Sequence, residues 1–85
     1  MITEFCKALN VNEVDILDGG KYQLAEYRQM YWLLLSRNGF TNTQIAKLNN
    51  RCQGSVSVGI TKIGAKIDRY PDLLQKWNQI KTIKR

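Results

Sequence analysis

Residues 41–63 read TNTQIAKLNNRCQGSVSVGITKI, and their pattern decides the fold. Ile45, Ala46 and Leu48 form a short apolar-periodic segment that runs into the polar pair Asn49-Asn50. Val56, Ile60, Ile63 and Ile67 then follow at i, i+4, i+7 and i+11, the spacing that lays one apolar stripe along a longer helix. The stretch therefore predicts a helix-turn-helix over about residues 42–69. In a basic chain this arrangement can offer the outer face of its second helix to a DNA major groove.

With that stripe turned inward, a step of about 100° per residue puts Gly54, Val58, Thr61 and Ala65 outward, with Ser57 and Lys62 at the flank. Short side chains let a helix face come close to a groove floor. There Val58 could touch a thymine methyl group and Gln53 an adenine edge. Gln53, Ser55 and Ser57 are candidate base or phosphate contacts, and Lys47, Arg51, Lys62 and Lys66 candidate phosphate contacts. Each has a structural alternative: Ser55 as a helix cap, Gln53 as a solvated side chain, Val58 as part of a protein interface.

On the N-terminal side, Thr3-Glu4 followed by Phe5, Cys6 and Leu9 predicts a helix of about two turns ending at Asn10. Asn12 can cap a second short helix whose buried face is Val14, Ile16 and Leu17, stopped by Asp18-Gly19-Gly20. Neither would persist alone in water, so both must dock on longer helices. Lys21 to Asn38 predicts a long central helix, with Leu24, Tyr27, Tyr31, Leu34 and Leu35 on one stripe and Met30 and Leu33 widening it. Gly39 can close it in the left-handed conformation, and Phe40 before a Thr41 or Asn42 cap suggests a hydrophobic staple. Beyond the motif, Tyr70-Pro71 ends one helix and opens another bearing Leu73, Leu74, Trp77 and Ile80. A basic tail from Lys81 to Arg85 is expected to fray. No segment alternates like a strand, so the expected class is all-α, five to six helices in a single domain.

Charge is distributed unevenly. Residues 1–20 carry Glu4, Glu13, Asp15 and Asp18 against Lys7, a net of −3, whereas the remaining residues carry twelve cations against Glu26, Asp68 and Asp72, a net of +9. That asymmetry argues for a basic face presented to a polyanion, with the acidic end turned elsewhere. No apolar run approaches the ~20 residues of a membrane span, and Met1-Ile2-Thr3-Glu4 does not open like a signal peptide, so a cytoplasmic location is expected. Cys6 and Cys52 are far apart and the chain has no histidine. No zinc site is expected, and the cysteines read as two free thiols, one in the core and one at a turn or helix start. No histidine, paired-carboxylate spacing or phosphate-cradling glycine loop supports catalysis, so neither an enzyme nor a cofactor is expected.

The segment from Ile45 to Val56, I-A-K-L-N-N-R-C-Q-G-S-V, is similar to the general helix-turn-helix pattern in which an I-A pair precedes the turn and G-[ST]-V opens the recognition helix. The wider chain resembles the C-terminal DNA-binding domain of the replication initiator DnaA, whose fold is related to that of the Trp repressor. The resemblance rests on F-C-K-A-L-N-V-N-E-V-D-I-L at residues 5–17, Arg28-Gln29-Met30, Val56 to Ile63, and Tyr70-Pro71-Asp72-Leu73-Leu74. It implies a double-stranded DNA partner. Arg28, Lys47, Arg51 and Lys62 would hold phosphates, Gln29 would join the contact set, Lys21 would lie at the minor groove, and Gln53, Ser55, Ser57 and Val58 would face base edges. Where that family carries G-R-D-H-[ST]-T-V, this chain has N-R-C-Q-G-S-V, keeping Arg51, Ser55 and Val56 but replacing the base-reading positions by Cys52, Gln53 and Gly54. A different target sequence, or mostly electrostatic binding, is therefore expected in place of the initiator's usual box. Replication initiation and transcriptional regulation are the processes implied. The second reading is a helical protein-interaction module that keeps the fold without reading DNA, with a protein partner or a second copy as its ligand.

Overall fold

The computed structural model describes residues 1–18 and 24–84. Among them are six helices and no strand: α1 (Ile2–Leu9), α2 (Glu13–Asp18), α3 (Ala25–Arg37), α4 (Asn42–Leu48), α5 (Gln53–Arg69) and α6 (Pro71–Ile80). The all-α class is as the periodicity predicts. The radius of gyration is 11.5 Å, the size of a compact globule of this length.

The core forms where α3 is crossed by its neighbours. Met30, Tyr31, Trp32, Leu33, Leu34 and Leu35 are all buried, and a helix apolar all round needs cover on several sides. That cover comes from α5, α4 and α2. The α1 helix packs on α6 and α2, and Phe5 of α1 stacks obliquely on Tyr31 with ring centroids 5.2 Å apart. Fully buried Ile16, Ile45, Val56, Ile63 and Ile80 bring each remaining helix into the same cluster. The α3 helix begins at Ala25, after a 3₁₀ turn at Leu24, later than the apolar phase from Lys21 suggests. Lys21 itself, like Gly19 and Gly20, lies outside the described residues.

Local stops and starts follow the side chains. Asn10 closes α1 at φ 57° and Gly39 follows α3 at φ 93°, both left-handed. Thr41 caps α4: its hydroxyl accepts from Gln44 N at 3.2 Å, and Gln44 Oε1 accepts from Thr41 N at 2.9 Å, a reciprocal capping box. Thr41→Ala is expected to cost about 1 kcal/mol. In a chain this short that lowers the melting midpoint by ~4–8 °C, read by circular dichroism.

The tail corrects the expectation of fraying in part. Asn38 Nδ2 donates to Leu34 O at 2.8 Å and to Ile83 O at 3.3 Å, and Ile83 packs on the core, so the chain is held as far as Ile83. Arg37 lies over the Trp77 ring, 5.9 Å from its centroid. Lys66 pairs with Glu26 at 3.3 Å, but both are 44% exposed, which limits the pair to under ~1 kcal/mol.

The inward stripe of α5 is rotated slightly from the predicted one. Val56, Ile63 and Ile67 are buried as expected, but the fourth buried position is Gly59, while Ile60 is half-buried. A Cβ at Gly59 would stand 2.6 Å from Trp32 Cζ3, 2.8 Å from Trp32 Cε3 and 3.2 Å from Gln29 Cγ. The absence of a side chain is what lets α5 lie against the indole of α3.

Candidate nucleic-acid interface

The link between α4 and α5 is four residues, Asn49 to Cys52, and each is fixed by a definable interaction. Asn49 is 2% exposed and its Nδ2 donates to Ile45 O at 2.8 Å, satisfying a carbonyl at the end of α4. Asn50 takes the left-handed conformation at φ 52°, which asparagine tolerates better than most residues, and so turns the chain. Arg51 N then donates to Ala46 O at 2.9 Å, and extended Cys52 serves as the N-cap residue of α5. The Cys52 Sγ and Ser55 Oγ atoms lie 3.0 Å apart. Ser55 was a candidate cap from sequence; the cap position belongs to Cys52, and Ser55 stands inside the first turn.

Gln53, Ser55, Ser57, Val58 and Lys62 are all exposed on α5, and Lys47 is exposed in the last turn of α4. Val58 is 54% exposed. Thr61, on the same face, donates its hydroxyl to Ser57 O at 3.1 Å, a bond that keeps the threonine side chain close to the helix. Along the outer face of α5 the exposed residues from Gln53 to Thr61 are uncharged, with exposed Lys47 and half-buried Arg51 before them in the chain and exposed Lys62 directly after.

Three predicted contacts sit differently, Lys66 among them through its pairing with Glu26 of α3. Arg28 is only 7% exposed, with Nε donating to Asp15 O at 3.4 Å, so its side chain is drawn against the end of α2 instead of standing out on the surface. Burial first, and the nearby Arg51 charge second, push the Arg28 guanidinium below its ordinary value, while Asp15 acts in the opposite sense. A guanidinium nevertheless stays protonated at neutral pH. Two like charges from α3 and the α4–α5 turn therefore lie near one another, with the Asp15 carboxylate acting against their repulsion. Gln29 is half-buried where α3 meets α5, with its Cγ beside Gly59.

Sequence periodicity passed over Asn49 and Gly59. Asn49 carried only a turn signal, yet it caps α4 from within the core. The sole hint of Gly59 was an isolated glycine inside an apolar helical pattern, which often marks a close helix crossing.

The cysteines have opposite environments. Burial, with a smaller contribution from Glu13, pushes the Cys6 thiol up, while the Ser55 hydroxyl, then its backbone, pull the exposed Cys52 thiol down. An aromatic disulfide reagent near pH 8 is expected to titrate Cys52 alone in the native protein, and Cys6 only after denaturant is added. Rapid release of two thiols per native chain would contradict this.

Among the described residues no group of three or more potential ligands could hold a metal ion, and no helix is long and apolar enough to cross a membrane. No family model, curated protein or solved structure matches the chain.

Proposed function

We propose that this chain is a double-stranded DNA-binding module that lays the outer face of α5, from Gln53 to Lys62, in the major groove. The observation that carries the reading is the α4–α5 unit: an exposed helix face, uncharged from Gln53 to Thr61, that begins at a tight turn and is flanked in the chain by Lys47, Arg51 and Lys62. Phosphates attract the flanking cations, and a face of short side chains leaves room for base edges. Lys47, Arg51 and Lys62 hold phosphates in this reading, while Arg28, drawn against the end of α2, braces the fold beside them. Gln53, Ser55, Ser57 and Val58 face the bases, and Gln29 helps to seat α5.

The resemblance to the DNA-binding domain of the initiator DnaA, carried by Arg28-Gln29-Met30 and by Arg51, Ser55 and Val56, points the same way. On that basis we place the module in the cytoplasm, in replication initiation or transcriptional regulation, and relate its fold to that of the Trp repressor. Titrating the labelled protein with a duplex while following amide chemical shifts tests the reading. Shifts concentrated on residues 47–62 support it. Shifts confined to α1 and α2, or none at all, overturn it.

A second reading, a protein-interaction module, draws on Leu48 and Val58, both more than half exposed at 56% and 54%. Val58→Glu weakens either mode, by repulsion from phosphates or by the cost of burying a charge in an apolar interface, so the two readings are separated by which ligand the unmodified chain binds and the variant loses when both are assayed.

A further inference from the structure

Val58 is the exposed large apolar side chain of α5 that faces away from the core, at 54% exposure, and its surroundings leave it open to approach. Its neighbours one helical turn away are Gly54, Ser55, Thr61 and Lys62, and all are exposed. A Cβ built on Gly54 would meet nothing within 4 Å. The polar groups beside it are largely engaged within the helix: Thr61 donates to Ser57 O at 3.1 Å, and Ser55 Oγ lies 3.0 Å from Cys52 Sγ. Arginine, the usual bidentate reader of guanine, does not occur between Gln53 and Asp68.

In the major groove the apolar group on a base edge is the 5-methyl of thymine. We infer that Val58 is a specificity-determining residue that reads thymine methyl groups, so that the module favours A·T-containing sites whose recognition depends on the methyl and not only on the pair. The inference rests on the DNA-binding reading above. Gln53, at the start of the same helix, supplies the complementary contact, since a glutamine amide matches the N6 and N7 edge of adenine. Lys62, one turn beyond Val58, ties the register to the phosphates.

Matched duplexes containing thymine or uracil test it, because uracil keeps the base pair and lacks the methyl. Removing a methyl packed against valine weakens binding roughly fourfold for each thymine contacted. The wild-type protein is therefore expected to prefer the thymine duplex by about that factor. A Val58→Ala variant, with an unchanged melting curve, is expected to bind the thymine duplex more weakly and to lose most of the preference. In G·C-rich duplexes, 5-methylation of cytosine is expected to tighten wild-type binding and to leave the variant nearly unaffected. Equal wild-type affinity for thymine and uracil duplexes, at measurable affinity, overturns the methyl-reading inference and leaves DNA binding standing. Failure to bind either duplex overturns both.

Discussion

Gly59→Val is expected to lower stability by about 3 kcal/mol or more, the upper part of the range for overpacked cores. The ideal Cβ position lies 2.6 Å and 2.8 Å from two carbons of the Trp32 ring, and Trp32 is itself 6% exposed and packed on all sides. A rigid indole cannot fold away as a flexible side chain could. The crossing of α3 and α5 would have to open instead, loosening the contact that seats the proposed recognition helix. Gly59→Ala is milder, because alanine recovers ~1 kcal/mol of helix propensity. Its net loss is expected near 1–2 kcal/mol, or several degrees in melting midpoint. Gly64→Ala provides the comparison on the same helix, since nothing lies within 4 Å of its Cβ position. That change is expected to be neutral or to stabilise by up to ~1 kcal/mol. Thermal unfolding of all three variants checks the account. A Gly59→Ala protein as stable as Gly64→Ala would show that the helix crossing does not depend on the missing side chain.

The second large effect concerns affinity. The combined variant Lys47→Ala, Arg51→Ala, Lys62→Ala is expected to bind duplex several hundredfold more weakly than wild type at about 0.1 M salt. Each phosphate contact contributes ~0.9 to the salt slope, so at that concentration each is worth roughly a factor of eight to ten. Lys47 and Lys62 are exposed and Arg51 half-buried, so truncation leaves the core intact. The melting midpoint should change little beyond the small loss of a cation from the last turn of α4. Loss of affinity together with loss of fold would mean that these residues act structurally.

Much of the architecture was legible because most helices announce themselves by a stripe and a stop, although Val14, assigned to the buried face of α2, is 66% exposed. Val56, Ile63 and Ile67 set the phase of α5, Thr41 with Gln44 supplies a start signal, and Tyr70-Pro71 a boundary. What sequence could not give depends on partners distant along the chain. Gly59 has no side chain to enter an apolar pattern, so its burial emerges only when Trp32 of α3 is placed across from it. Ile60, the residue the stripe favoured, is thereby turned partly outward. Arg28 looks like any cation on the wet edge of an amphipathic helix until the Asp15 carbonyl, thirteen residues away, reaches its Nε. The tail behaves similarly, since the Asn38 amide that holds Ile83 is forty-five residues removed. The exposed face of α5 was readable for a related reason: its residues are local to one helix, and a phase only slightly rotated from the true one still places them on the exposed side.

Equilibrium binding of a labelled duplex by the unmodified chain across a series of salt concentrations bears most directly on the claim that this surface grips DNA. With Lys47, Arg51 and Lys62 on phosphates, the logarithm of affinity should fall against the logarithm of salt with a slope of about −2.7 or steeper. Undetectable binding at the lowest salt, or an affinity that salt does not change, would contradict it.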